Sequence, residues 1–407
     1  MLDAAKWRAR LTELARQAGV PGAVLGIWAD GREVLAAFGV LSSATAVRVT
    51  RDSLFQVGSI TKVWTATMIM QLVDEGLLSL GTTVSQVLSG ARLGAGDISD
   101  QVTVQHLLTH TSGIDGDIFT DTGRGDDCVQ RYVSGLDRAA SAFPPGGAYS
   151  YCNSGYVLLG GPVDVWGLPR SVGPAGLITA AAHDLLAFAR FHLDGGSTPT
   201  GKQLLSEASA AAMQDPRAEI PGFGATADTT GSATGLGWRV ERWDGQTIVG
   251  HDGDTIGQSA YLRINPQARV AVCLLTNSAR SESLYREVFA EVFGALTGIT
   301  MPAGPCPAEG PPENLERHAG RYERTSRRCE VSVHDKRLRM LLTMTGHLGE
   351  LVGSQPEELI LYPVDASGAN FVCRSDDDDP WTPVAFGQLA GGVPYLFLGG
   401  RVTPRVA

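Results

Sequence analysis

Apolar and polar positions along this chain fall into two periods, and the switches between them mark its elements. Residues 3–18 carry an amphipathic pattern and predict a helix. Val24-Leu25-Gly26-Ile27-Trp28 is a short apolar run that predicts a strand. Ala29-Asp30-Gly31-Arg32 predicts a hairpin turn, and 33–38 the return strand. Residues 59–78, containing Met68-Ile69-Met70-Gln71-Leu72-Val73, are apolar on most faces and predict a buried helix closed near Gly76. Residues 104–113 predict a short helix ending at a Thr-Ser-Gly turn, and Pro144-Pro145-Gly146-Gly147 is a further turn. A turn at 173–176 precedes a helix over about 181–193. Strands are expected at 236–240, 260–264 and 270–277, with a turn at Asp244-Gly245, a Gly-rich segment over 248–257 and a helix over 282–296. Helices mixed with antiparallel strands predict an α+β fold, an antiparallel sheet flanked by helices plus a mostly helical region.

After a Pro-rich stretch at 301–313 the pattern changes. Short β-like runs appear at 329–333, 338–344, 359–362, 370–373, 383–387 and 395–398, separated by turn residues. They predict a small antiparallel β domain of barrel type. The expected organisation is a domain over 1–300, a linker over 301–313 and a β domain over 314–407. The acidic run 376–379 reads as a solvated loop.

Composition narrows the function. With 407 residues, 43% of them hydrophobic, the chain can bury a sizeable core. A net charge of −10 argues against nucleic acid and anionic membrane surfaces as partners. No apolar run reaches the ~18–20 residues that span a bilayer. Met1-Leu2-Asp3-Ala4-Ala5-Lys6-Trp7-Arg8 lacks the order of a signal peptide, so a cytoplasmic location is expected. Cysteines 128, 152, 273, 306, 329 and 373 form no C-x-x-C pair and are expected to be reduced, with no zinc site. His106 and His110 are four apart but have no Glu between them, unlike the zinc-protease helix. His183 and His192 read as surface or satisfied core histidines. Nothing matches a phosphate loop, a dinucleotide fingerprint or a G-x-S-x-G elbow.

Three short motifs carry candidate chemistry. In Val57-Gly58-Ser59-Ile60-Thr61-Lys62 the serine and lysine are three apart at the mouth of a helix, so both side chains share one face. A helix N-terminus adds free N–H groups and partial positive charge there. A lysine beside a serine is one way to make a nucleophile without the usual triad. Tyr151 and Asn153 follow the Pro-Pro-Gly-Gly turn, offering a phenol for proton transfer and an amide for a carbonyl or for Lys62. Their bland alternative is a packed tyrosine and a helix cap. His251-Asp252-Gly253-Asp254 lies in a Gly-rich segment whose backbone can approach a ligand closely.

In this order, with Leu107-Leu108-Thr109-His110-Thr111-Ser112-Gly113 between the first two, the motifs resemble the serine β-lactamase and penicillin-binding-protein superfamily. The resemblance is to the branch of class C β-lactamases, D-alanyl-D-alanine carboxypeptidases and esterases, and covers about residues 8–297. The C-terminal segment resembles the lipocalin-like domain of some members. The resemblance implies a β-lactamase/transpeptidase-like fold and an acyl-enzyme on Ser59. It implies that Lys62 and Tyr151 share the proton work, with the base left open between them. Asn153 holds Lys62 and the substrate amide, and the backbone N–H groups of Ser59 and Asp254 form the oxyanion hole. His251 joins Ser59, Lys62, Tyr151 and Asn153 as a catalytic residue, and Gly253 lies in the substrate-binding site. Arg401 either holds a substrate carboxylate or is an ordinary surface arginine. No cofactor or metal is required.

Two departures stand out. His251 replaces the lysine usual in β-lactamases, which favours peptidase, esterase and acyl-transfer chemistry. Only residues 154–172 separate Asn153 from Gly173, where relatives carry a longer helical cap, and Gly161-Pro162 breaks the helix that begins there. A shortened cap opens the cleft to a peptide, or reflects a destabilised fold or an altered sequence. The expected function is a serine hydrolase acting on D-residue peptides or carboxylic esters. The alternatives are a peptide cyclase that takes a carrier-protein-bound peptide thioester to an amine, a β-lactamase, and a catalytically dead binding protein.

Overall fold

Two compact units emerge from a computed structural model, which describes residues 2–406 apart from 95, 119, 124, 161–172, 223–230, 311–313, 347, 348, 351, 352 and 378. One unit comprises Met1–Ser79, Gly173–Arg217 and Thr226–Pro302; the other comprises Leu80–Val172, Ala218–Ala225 and Ala303–Ala407. The expected break at Gly161-Pro162, the end of the linker at 311–313 and residue 378 of the acidic loop lie outside the described residues.

In the first unit, helix α1 (Ala4–Gln17) starts where the Asp3 side chain accepts from the Ala5 and Lys6 amides. Trp7, Leu11, Leu14 and Ala15 form its buried stripe. Strands β1 (Gly22–Ala29) and β2 (Arg32–Gly39) are joined through Asp30 and Gly31, both at positive φ (51° and 71°), as a tight right-twisted hairpin needs. Strands β3 (Ser232–Thr234), β4 (Arg239–Trp243), β5 (Gln246–Thr255), β6 (Gln258–Asn265) and β7 (Val270–Thr276) extend the antiparallel sheet, which within this unit runs in the order β2-β1-β7-β6-β5-β4-β3. N-terminal β1 therefore pairs with late β7, Leu25 opposite Leu274. Every residue of β1 and β7 is buried, because helices cover both faces. Helix α4 (Glu282–Thr297) and α1 bury Phe289, Phe293, Trp7 and Leu11 with Val272 and Leu274. Helix α3 (Ala182–Leu193) packs on β1 and β7, so close that a Cβ at Gly26 would lie 3.0 Å from the Leu186 side chain.

The helix expected over 59–78 is α2 (Thr61–Asp74), preceded by a 3-10 turn at Gly58–Ile60. Gly76 (φ 72°) closes it, with the Gly76 and Leu77 amides donating back to Val73 and Leu72. The strand expected at 236–240 begins three residues later, since Gly237 takes φ 90° and turns the chain first. The Gly-rich segment over 248–257 lies mostly within β5, whose pairing continues through Thr255.

In the second unit the short helices Val104–Leu108 and Asn153–Gly160 pack together, and the Tyr156 hydroxyl donates to the Leu108 carbonyl at 2.9 Å. Eight strands follow: β8 (Gly320–Arg324), β9 (Arg327–His334), β10 (Arg337–Met344), β11 (Glu357–Pro363), β12 (Asn370–Cys373), β13 (Thr382–Gln388), β14 (Pro394–Leu398) and β15 (Arg401–Pro404). Each pairs antiparallel with the next. The ends meet where Tyr322 bridges to Arg405 and the Val406 amide donates to Arg321, so the sheet is a nearly closed barrel. Tyr322, Met340, Phe371, Phe386 and Leu396 fill it. Phe143 and Tyr149 pack against Phe397 and Val402 on its outer side. The segment that carries Tyr151 thus groups with the barrel rather than with the N-terminal sheet. Among the described residues no helix is long and apolar enough to cross a membrane.

Candidate active site

Ser59 lies in the 3-10 turn and Lys62 in the first turn of α2. The Lys62 Nζ donates to the Ser59 Oγ at 3.0 Å and also to the Ala175 carbonyl. Lys62 is fully buried, whereas Ser59 is half-buried. The segment that supplies Ala175 is fastened to α2 by two more bonds. Thr65 Oγ1 donates to the Pro174 carbonyl at 2.7 Å, and the Ile178 amide donates to Thr61 Oγ1 at 3.1 Å. The ammonium is thereby held in a fixed place.

Strand β5 passes this turn backbone to backbone. A Cβ at Gly253 would lie 2.0 Å from the Val57 carbonyl oxygen and 2.8 Å from the Ser59 nitrogen. A Cβ at Gly58, itself at φ 50°, would lie 2.7 Å from the Asp254 nitrogen. Only glycines permit that approach, which brings the β5 backbone at Gly253 and Asp254 against the Val57–Ser59 turn.

His251 lies on the same strand. Its Nδ1 is 2.6 Å from the Asp252 carbonyl oxygen, which only accepts, so Nδ1 carries the proton. Burial, with the Lys62 charge as a second cause, pushes the His251 imidazolium down to about 3, and the ring is neutral near pH 7. The Asp252 carboxylate accepts from Arg263 at 2.6 and 3.1 Å and from Arg239 at 3.3 Å. Burial would raise its pKa, but the charges of Arg263 and Arg239 outweigh it and the net shift is downward.

Tyr151 and Asn153 belong to the second unit, within a network the sequence did not disclose. The Tyr151 amide donates to the Gly400 carbonyl at 2.8 Å, and the Val402 amide to Ser150 Oγ at 3.2 Å. The Cys152 amide donates to His110 Nδ1 at 3.0 Å, and the His110 ring lies against Tyr151 with centroids 4.2 Å apart. His110 is therefore a support for the motif. Among the described residues no group of three or more His, Cys, Asp or Glu side chains is arranged to hold a metal ion. The Cys152 thiol is pushed up to about 11 by burial and is unreactive near neutral pH.

Asn153 opens its helix and donates through Nδ2 to Asp117 Oδ1 at 3.3 Å. Asp117 also receives the fork of Arg401, Nε at 3.0 Å and Nη2 at 2.8 Å, and a contact from Arg324 Nη2. Burial opposes the Asp117 charge, yet Arg401 and Arg324 hold the carboxyl well below its ordinary value. The Arg401 guanidinium lies 4.9 Å from the Tyr151 ring centroid. The structure places the Arg401 fork on Asp117, with its side chain 21% exposed. Asp117 and Arg324 were not singled out by the sequence, and His110 was read there as part of a short helix and its Thr-Ser-Gly turn.

The family model Beta-lactamase matches in two segments, 7–164 and 161–295, which meet at 161–164. The chain is 38% identical over 376 residues to Penicillin-binding protein 4 of Amycolatopsis lactamdurans, covering 79% of this chain and 98% of that one. Among solved structures it is similar to SurE with D-Leu, at 27% identity and a TM-score of 0.77 over 99% of each chain. It also shares the fold of the octameric penicillin-binding protein homologue from Pyrococcus abyssi, at 20% identity and a TM-score of 0.60 over 99% and 100% of the two chains.

Proposed function

Because the chain belongs to the beta-lactamase family of serine hydrolases and acyltransferases, we propose that it forms an acyl-enzyme on Ser59 from the ester, thioester or amide carbonyl of a D-residue peptide or a simple carboxylic ester. The observation that carries this reading is the 3.0 Å bond between a fully buried Lys62 and Ser59.

Ser59 Oγ attacks the carbonyl carbon and its proton passes to a base. Lys62 donates in the observed bond, so it serves as base only after giving up a proton; otherwise the phenolate of Tyr151 takes that role. The oxyanion accepts from the Ser59 and Asp254 N–H groups, an interaction worth about 3–4 kcal/mol per donor. The leaving group departs with a proton, and water or an amine then attacks the acyl carbon and frees Ser59.

The similarity to SurE, solved with D-Leu, and to a penicillin-binding protein supports a D-residue peptide. A neutral His251 brings no cation to the place where β-lactamases usually carry lysine. That weighs against a β-lactam as the main substrate.

The test is intact mass after mixing the protein with a D-residue peptide thioester, a fluorophosphonate and a penicillin, with Ser59→Ala alongside. An adduct on the parent that the variant lacks is expected. Full turnover by Ser59→Ala sinks the reading. The released product, linear acid or amide, decides between water and amine as acceptor.

A further inference from the structure

The two arginines on Asp117 come from opposite ends of the barrel sheet. Arg324 ends β8 and Arg401 begins β15, the first and last strands, which meet at the barrel seam. Both point at the loop that carries Asp115 and Asp117. Arg324 Nη2 lies 3.2 Å from Asp115 Oδ1, and the Thr325 amide donates to Asp115 Oδ2 at 2.8 Å. Asp115, Asp117 and Arg324 are each less than 10% exposed at the side chain. The cluster then reaches the Tyr151-x-Asn153 motif three ways: through Asn153 to Asp117, through the Arg401 guanidinium over the Tyr151 ring, and through the Tyr151 amide on Gly400, next to Arg401.

We propose that Arg401 is a positioning residue for Tyr151, anchored by Asp117 and Arg324, so that the barrel seam is part of the reaction machinery and not an appended module. The physical basis is rigidity. A tyrosine on a turn has two soft side-chain torsions, and a proton-transfer group must hold its hydroxyl to a fraction of an ångström. A bidentate Arg–Asp fork has one favoured geometry, and a planar guanidinium against the ring limits the ring's rotation. Gly399 fixes the same arginine from a third side, accepting from its Nη1 at 2.7 Å. Charge contributes less here than geometry, since Asp117 largely neutralises Arg401.

The inference rests on the reading that Tyr151 shares the proton work on Ser59, and its test separates the two. Arg401→Met is made in the parent and in a Tyr151→Phe background, and the single-turnover rate of Ser59 acylation by a D-residue thioester is measured in each. Arg401→Met should slow acylation by about 100-fold in the parent, the scale of a small misplacement, and leave the Tyr151→Phe background unchanged. Arg401→Lys, which keeps the charge without the fork, should recover only part. Fluorotyrosine at position 151, read by fluorine NMR, should shift and broaden in Arg401→Met whether or not Ser59 is the nucleophile. Equal slowing in both backgrounds, or an unmoved fluorine signal, overturns the proposal. If Arg401→Met does not fold, Arg401→Lys takes the same two readouts. Turnover surviving in Ser59→Ala defeats the hydrolase reading alone, because the fluorine signal still decides the placement of Tyr151.

Discussion

Lys62 has no exposed surface, and its ammonium is fixed between Ser59 Oγ at 3.0 Å and the Ala175 carbonyl. A buried cation is costly unless it is hydrogen-bonded. Here one partner is the candidate nucleophile itself and another is a backbone oxygen from a separate segment, a placement that suits chemistry on Ser59.

Replacing it should therefore separate activity from folding. Lys62→Met keeps the length and apolar volume of the side chain. Ser59 acylation is expected to fall by about 10²–10⁴-fold, the range of general acid–base catalysis. The urea midpoint should hold or rise, because an apolar isostere removes a desolvated charge. Stopped-flow acylation and urea titration on one preparation check both, and an active variant counts against the assignment.

Gly253 tests the close approach of β5. A Cβ there meets the Val57 carbonyl oxygen at 2.0 Å and the Ser59 nitrogen at 2.8 Å, both backbone atoms that cannot rotate away. Gly253→Ala should push the strand from the turn and lower kcat by about 10²-fold, the size of one lost oxyanion donor. A kcat within twofold of the parent would show that the Ser59 and Asp254 nitrogens do not act together.

Asp117 tests the buried cluster. Asp117→Asn leaves Arg324 and Arg401 facing a neutral amide, and breaking a buried pair costs about 3–5 kcal/mol. The sign with pH follows from the direction of its shift. Its folded pKa lies below the ordinary 3.8, so its contribution is present above that value and lost as pH falls below it. The gap in urea stability between parent and variant should be full at pH 7 and shrink below about pH 4. A gap that is constant with pH would assign the effect to packing.

His192 is buried against Phe188 and Trp238, with Thr67 Oγ1 3.1 Å from its Nε2. Burial pushes its pKa down to about 3 from the ordinary 6.5. Between those values the unfolded chain binds the proton and the folded one does not, so stability falls as pH drops below 6.5. His192→Gln should gain on the parent there, by at most about 1.4 kcal/mol per pH unit. Urea midpoints at pH 7, 6 and 5 read this directly, and parallel curves would refute it.

Much of this was legible in advance for one reason: the information is local. The Ser59-Lys62 spacing, the Asp30-Gly31 turn, the amphipathic stripe of α1 and the buried run of α2 each need only a few adjacent residues to be read. Two barrel strands escaped because Gly320–Arg324 and Arg401–Pro404 are short and rich in Arg, Glu and Pro, with little apolar alternation. They are the strands that carry Arg324 and Arg401. His110 looked like the end of a short helix because its partner, the Cys152 amide, lies 42 residues away.

By itself, then, the sequence determined the α+β class, the C-terminal β domain and the serine–lysine pair, since helix and strand periodicity and i,i+3 neighbourhood are properties of the chain's own geometry. The tertiary structure alone decided that the described residues between 80 and 160 group with the barrel, and that a buried Asp–Arg cluster stands behind Tyr151 and Asn153. Charges 200 and more residues apart, such as Arg324 and Asp117, carry no mutual signal along the chain. They meet only when folding brings β8 to the 115–117 loop, where Arg401, Asn153 and Asp115 complete a cluster whose mutual attraction offsets the loss of water.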